Sequence, residues 1–543
     1  MSTGFIGILC SESQKSWVEE FFELFKTPWE LYRPERKYSA VISTDPNFVP
    51  RNCELLIIYS SASGADAAFP VEAKGEPLFI DLSDAALPLY GKAVAFSWGM
   101  PLVRKTGSSA AVVVETVADA QQIIRAGYDL FDEVAFLLCQ GQPTQQALIP
   151  ALELHIALLR SWLIRAGVPF IEVPSSPAGY DFAACLTHDV DFIRISDHKF
   201  DHTMFGFIHR ASVGSIRNLM KGRITAEQCL QNVKSVVSLP AVHLGLHEDF
   251  WIQDFDRFLE LEHYTKSTFF FIPYKNRPGD KVGRPHSQRR AAAYDVRNER
   301  KLIDKLVQEG NEVAVHGIDA WHSAQKGRDE RQRIAEITNA RHIGVRMHWL
   351  CFDEASPRVL EEADFHYDST IGYNDAVGYR AGTQQVFRPN GATTLLELPL
   401  HIQDCALFYE GRLGLTKEHA SKTCETVLAN AANYGGVITI LWHTRSLAPE
   451  RLWGDFYVRL LNRLMDRRVW FATATEIVDW FRRRRALSFH QDDSSPATGR
   501  VAVALSKGHS QGAELAMRIH APSTGSRDVA CTGEQVVDLA LRR

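Results

Sequence analysis

Two carboxylates one residue apart, in Leu186-Thr187-His188-Asp189-Val190-Asp191, close an apolar run that begins at Phe182. In an extended chain, side chains two positions apart point the same way. Like charges held that close are costly unless a cation lies between them or one stays protonated, so the pair suggests a metal ligand beside a proton acceptor. The pattern calls for histidines elsewhere. His316 and His322 follow the apolar start of Glu312-Val313-Ala314-Val315, and His443 ends Val437-Ile438-Thr439-Ile440-Leu441-Trp442. Three strand-like runs, each with its reactive residues at the C-terminal end, fit a parallel barrel whose chemistry gathers on one rim.

The elements that must position these groups follow from the rest of the pattern. From about 180 to 485 the order is strand, long insert at about 192–266, strand, helix, strand ending at His316, helix, short strands and the strand ending at His443. Such repeated βα units argue for a parallel sheet, closed or nearly closed. The insert exceeds an ordinary connection and should form a lid or side wall near the site. Before it, strand-like runs such as Leu55-Leu56-Ile57-Ile58-Tyr59 alternate with amphipathic stretches at 117–138 and 145–165, which predicts a separate α/β domain over 1–175. That domain carries no Gly-rich phosphate loop and no ligand cluster, so its role stays open. The turn-rich stretch Pro174-Ser175-Ser176-Pro177-Ala178-Gly179 marks the boundary, with the barrel domain at 176–485. Residues 486–543 should be a small β unit or a disordered tail. The arginines at 482–485 read as the cationic last turn of a helix.

With 543 residues and a formal net charge of −5, the chain has the size and balance of a multidomain globular protein. No basic stripe interleaved with aromatics suggests a nucleic-acid partner. Nine scattered cysteines without C-x-x-C spacing read as buried thiols in a reducing compartment. No transmembrane segment and no secretory leader is evident, and a cytoplasmic location is expected.

The ordered motifs resemble the polysaccharide deacetylases, or NodB-homology family: metal-dependent amidohydrolases on a distorted (β/α) barrel. The likeness spans about 180 to 485. It implies Asp189 as general base and Asp191 as metal ligand, separated by Val190 as in an Asp-x-Asp branch of the family. It implies His316 as the first histidine ligand and His322 as the second, six residues later rather than four, with Asp319 as the obvious substitute. Arg346 would orient the base, Trp349 would wall the sugar pocket, and His443 would protonate the leaving amine. His348 stands where the family has proline, and its role is open. Tyr367-Asp368-Ser369-Thr370 resembles the region that supplies a supporting carboxylate.

Amide hydrolysis needs a nucleophile, stabilisation of a tetrahedral oxyanion and a proton for the leaving amine. A divalent ion, expected to be zinc, on Asp191, His316 and His322 would meet the first two needs. The expected reaction is removal of N-acetyl groups from amino sugars of a surface polysaccharide, its precursor or a lipid-linked oligosaccharide. A non-catalytic carbohydrate-binding or scaffold protein of polysaccharide biosynthesis is the alternative. A glycosidase would need two carboxylates flanking a bond and no metal. His243 and His247 have the helical spacing of a zinc pair, but they lack the Glu a zinc peptidase needs, and Gly245 between them weakens a helix.

Overall fold

The computed structural model describes residues 3–50, 52–62, 68–71, 77–280, 287–491, 500–505, 512–522, 525–531 and 533–539. Two nine-stranded sheets organise it.

The first sheet is mixed. Thr3–Leu9, Tyr38–Ser43 and Cys53–Tyr59 run parallel, Gln121–Ala126 continues them, and antiparallel strands Ala111–Ala118 and Ala93–Phe96 complete that side. Helices Lys15–Phe25, Leu130–Cys139 and Ala151–Arg165 bury apolar faces against it. The helical reading of 117–138 is corrected here, because the helix begins only at Leu130. Residues 111–126 form a hairpin instead, with Val117 opposite Gln122. The β-branched runs favour strands, and Asp119 and Ala120 take positive φ of 49° and 67° at the turn, as two-residue hairpins require.

The second sheet is wholly parallel. Its strands are β1 (Phe182–Val190), β2 (Ser267–Phe271), β3 (Glu312–Gly317), β4 (Val345–Met347), β5 (Tyr367–Asp368), β6 (Leu396–Glu397), β7 (Ile402–Gln403), β8 (Val437–Leu441) and β9 (Val469–Phe471). Their spatial order is β6-β5-β4-β3-β2-β1-β8-β7, with β9 beside the start of β1. All nine residues of β1 are buried, as a central parallel strand covered on both faces should be. The two edge strands, β6 and β7, belong to one short segment. Leu398 N–H donates to Asp368 O at 2.8 Å and His401 N–H to Thr439 O at 3.1 Å. One stretch of chain therefore laces the edges together, and the sheet curls into a distorted (β/α) barrel. Gly344 lets β4 approach β5, since an added Cβ would lie 2.0 Å from the Tyr367 ring.

Between β1 and β2 the chain forms helices His202–His209, Ser215–Met220, Ala226–His243 and Gln253–Leu261, capped at two N-termini by Asp201 and Thr225. Ile195, Phe207, Leu239 and Trp251 give this insert a core of its own.

Beyond the barrel, Leu487–Gln491, Arg500–Leu505 and Gln535–Asp538 make one antiparallel sheet. Ala516–Ala521 pairs with Gly525–Ala530 on one side and with Phe170–Glu172 on the other. Residues 492–499 and 506–511 lie outside the described residues. The arginine run does end a helix, Ala474–Ala486. Arg484 is buried there and donates to the carbonyls of Glu23, Leu24, Val173 and Pro174, which ties the helix to the first α/β unit.

Candidate active site

Each reactive group of the barrel rim is set by a strand end. Asp189 and Asp191 stand at the end of β1, His316 near the end of β3, His348 directly after β4, and His443 two residues past β8. The register His316↔Arg346 and Gly317↔Met347 carries His348 to the side of His316. Their rings lie 4.7 Å apart.

His316 Nδ1 lies 2.9 Å from Arg346 O. A carbonyl can only accept, so Nδ1 carries the proton and Nε2 keeps its lone pair. That lone pair faces Asp189 Oδ2 at 3.6 Å and Asp191 Oδ1 at 3.5 Å. His348 Nε2 is 3.3 Å from the same Asp191 oxygen. Asp191, His316 and His348 thus offer three ligand atoms within 4.8 Å of one another. Asp191 Oδ1 and His316 Nε2 are buried without a hydrogen-bond partner. Buried acceptors aimed at one another are costly unless a cation joins them, so this donor set fits a divalent ion. Burial pushes His348 down to about 3, which keeps its lone pair available.

His322 is not brought into this group. Its Nε2 lies 3.1 Å from Asp319 Oδ1, and the Asp319 carboxylate also accepts from Lys326 Nζ and from the backbone N–H of Asp280, each at 3.0 Å. The strand ends at Gly317 and Ser323 caps the helix Ala324–Thr338, so His322 and Asp319 belong to the helix start. The second imidazole at the centre is His348, which the sequence reading left without a role. Its signal was its place just past a buried strand, close to the signal that marked His443. His243 and His247 do not converge either: His243 bonds the carbonyls of Leu239 and His198, and His247 that of Glu248.

Arg346 is fully buried. Its Nη1 donates to Asp189 Oδ1 at 3.1 Å and to Thr187 Oγ1 at 2.7 Å, while Nε and Nη2 donate to Ser369 O and Ser369 Oγ. The guanidinium also lies 4.4 Å over the Phe270 ring. One Asp189 oxygen is pinned by this clamp and the other turns to the cavity, which measures about 190 Å³. Trp349 lines the same cavity at a left-handed φ of 64°, a conformation costly for a side chain of this size. Its carbonyl accepts from Asn374 Nδ2 at 3.1 Å.

Across the cavity, His443 Nε2 is 3.9 Å from Asp191 Oδ2. Behind it, fully buried Asp404 accepts from His443 Nδ1 at 2.7 Å. Burial opposes charge on His443, yet Asp404 holds the imidazole well above its ordinary range. The sequence reading missed Asp404, which follows the half-polar segment Leu398–Gln403.

No family model and no curated protein matches the chain in sequence. Solved structures do resemble it. A Mycobacterium smegmatis protein named as a polysaccharide deacetylase is 18% identical, over 57% of this chain and 94% of that one, with a TM-score of 0.35. A carbohydrate deacetylase, Agd3, is 8% identical over 96% of this chain and 91% of that one, also at 0.35. A family 4 acetyl xylan esterase from Clostridium thermocellum, in complex with a cobalt ion, is 13% identical over 55% of this chain and 91% of that one, at 0.23. All three likenesses have TM-scores below 0.5, and the barrel of this chain is read from its own strand order and edge pairing.

Proposed function

We propose that this chain is a metal-dependent hydrolase that removes N-acetyl groups from amino sugars of a surface polysaccharide or its precursor. One observation carries the reading: a convergent Asp191, His316 and His348 faces, across a single cavity, an imidazole backed by a buried carboxylate. Asp191, His316 and His348 would hold a divalent ion, zinc by the preference of mixed nitrogen and oxygen donors, which when bound would supply Lewis-acid chemistry to acyl oxygen and water.

The chain's own residues do the rest. Asp189 accepts a proton at Oδ2, because Arg346 occupies its Oδ1. His443 gives its Nδ1 proton to the bond with Asp404, so Nε2 is the atom that hands a proton to the leaving nitrogen. Trp349 walls the sugar pocket. The His443–Asp404 pair favours turnover over a purely carbohydrate-binding or scaffold role, since glycan binding alone gives no use for a buried carboxylate fixing a proton donor. All nine cysteines are free thiols, which supports a cytoplasmic setting for this activity. The test is acetate release from N-acetylhexosamine oligomers, abolished by a chelator and restored by zinc. Metal-loaded protein that releases nothing from any amino-sugar substrate overturns the reading.

A further inference from the structure

The catalytic cavity has a second, cationic end that hydrolysis of a neutral N-acetyl sugar does not require. Arg412 and Arg451 line it beside His443. Both guanidinium groups lie over the Tyr409 ring, 5.6 and 5.7 Å from its centroid, and Arg451 Nη1 donates to Tyr409 Oη at 2.9 Å. Arg412 Nη1 is buried with no hydrogen-bond partner. Among the described residues neither guanidinium meets a carboxylate. The contrast lies a few residues away: Arg445, on the same rim, is held by both Asp254 and Glu450. A further arginine of the insert, Arg210, sits where the 210–214 segment packs on the 449–451 turn, and its buried Nε also lacks a partner.

Contact with the Tyr409 ring, and for Arg451 also with the Trp453 ring at 5.5 Å, accounts for where the two guanidinium groups sit. It does not account for the unused Arg412 N–H donor, nor for two guanidinium groups that, among the described residues, have no carboxylate at ion-pair distance. The planar guanidinium fork matches a carboxylate or phosphate bidentately, and cations clustered in a partly buried cleft favour an anion between them. We infer that Arg412 and Arg451 form an anion subsite, so that the substrate carries a carboxylate or phosphate on the acylated amino sugar or on the residue next to it. This deepens the deacylase reading and rests on it for the position of the reacting sugar. The neutral chitin-type oligomer is then a poor substrate, and a uronate-containing glycan or a phosphate-linked precursor a good one.

Direct binding separates the subsite from the chemistry. Full-length Asp189→Asn protein is titrated calorimetrically with three probes: N,N′-diacetylchitobiose, a disaccharide of N-acetylhexosamine and a uronic acid, and N-acetylglucosamine 1-phosphate. At least one anionic probe should bind about 10- to 100-fold more tightly than the neutral one at low salt, and the advantage should shrink as salt rises. Adding Arg412→Gln or Arg451→Gln should remove most of that advantage, and Arg412→Lys or Arg451→Lys should keep part of it, with thermal unfolding confirming that each variant is folded. The stronger of the two anionic probes names the source of the charge. Equal affinity for all three probes, or an advantage untouched by both glutamine variants, overturns the inference. Acetate release by the unmutated protein is read in parallel. Anion preference without release supports the subsite and removes the deacylase reading, and release from chitobiose without anion preference does the reverse.

Discussion

His443 and Asp404 are joined twice: the Asp404 carboxylate accepts the imidazole Nδ1–H at 2.7 Å and the backbone N–H of His443 at 2.8 Å. The two hydrogen bonds to one buried carboxylate fix both the ring's tautomer and its direction, leaving Nε2 toward the cavity. Asp404→Asn can keep the backbone bond but loses the charge that favours imidazolium. We expect kcat to fall about 100- to 1,000-fold with KM nearly unchanged, read from steady-state acetate release. A variant that loses KM and keeps kcat would make Asp404 a substrate-binding residue instead.

Asp189→Asn tests the base. Asparagine is close in shape and can still accept from Arg346, so fold and metal content should persist. Turnover should drop by about 100- to 10,000-fold. Thermal unfolding and metal analysis on the same preparation, beside the activity, check all three. Undiminished hydrolysis would remove Asp189 from the mechanism.

The choice of second imidazole is decided by metal content. His348→Ala should lower divalent-metal affinity by at least about tenfold, judged against losses of 10- to 100-fold for residues that merely support a ligand. His322→Ala removes the bond to Asp319 and the ring contact with Trp321 and should bind metal as the unmutated protein does. Metal per chain after dialysis against a weak chelator distinguishes them, and the opposite ranking would restore His322.

A carboxyl pair on β5 and β6 predicts a pH dependence of stability. Burial pushes Asp368 up to about 6, and burial with the neighbouring Asp368 raises Glu397 well above its usual range. Asp368 Oδ2 and Glu397 Oε2 otherwise lack partners, so a proton shared between the two side chains satisfies both. The folded state therefore binds more protons than the unfolded chain, whose carboxylates ionise near 4. Stability is fully present below that pH and should fall as pH rises through about 6, by on the order of 1–3 kcal/mol. Denaturant midpoints between pH 4 and 8 measure it. Glu397→Gln should flatten the decline, and an equally steep decline in that variant would place its origin elsewhere.

Much of the site was legible because barrel chemistry sits at strand ends and strands announce themselves. Asp189 and Asp191 close an apolar run, and alternation puts both carboxylates on one side, where they meet His316 at 3.6 and 3.5 Å. Arg346 and His443 follow the same logic. A strand that is short or half-polar hides it: β4 is three residues long, so His348 carried the right signal too faintly. The stretch 117–126 went astray for a related reason, since its apolar residues satisfy helical spacing and alternation alike until the hairpin turn at Asp119 and Ala120 decides between them.

By itself, then, the order of residues determined which candidate side chains stand at strand ends and that a parallel barrel must gather them, because burial pattern and strand-end position are local properties of the chain. What only the tertiary structure decided is which distant groups become neighbours. The pairing Gln403↔Leu441 brings Asp404 beside His443 across 39 positions, and the pairing Gly317↔Met347 seats His348 where His322 was expected. Both depend on register and on the curl that a single segment, 396–403, imposes by bonding to both edges of the sheet. Register is a relation between strands, and no spacing within one strand contains it.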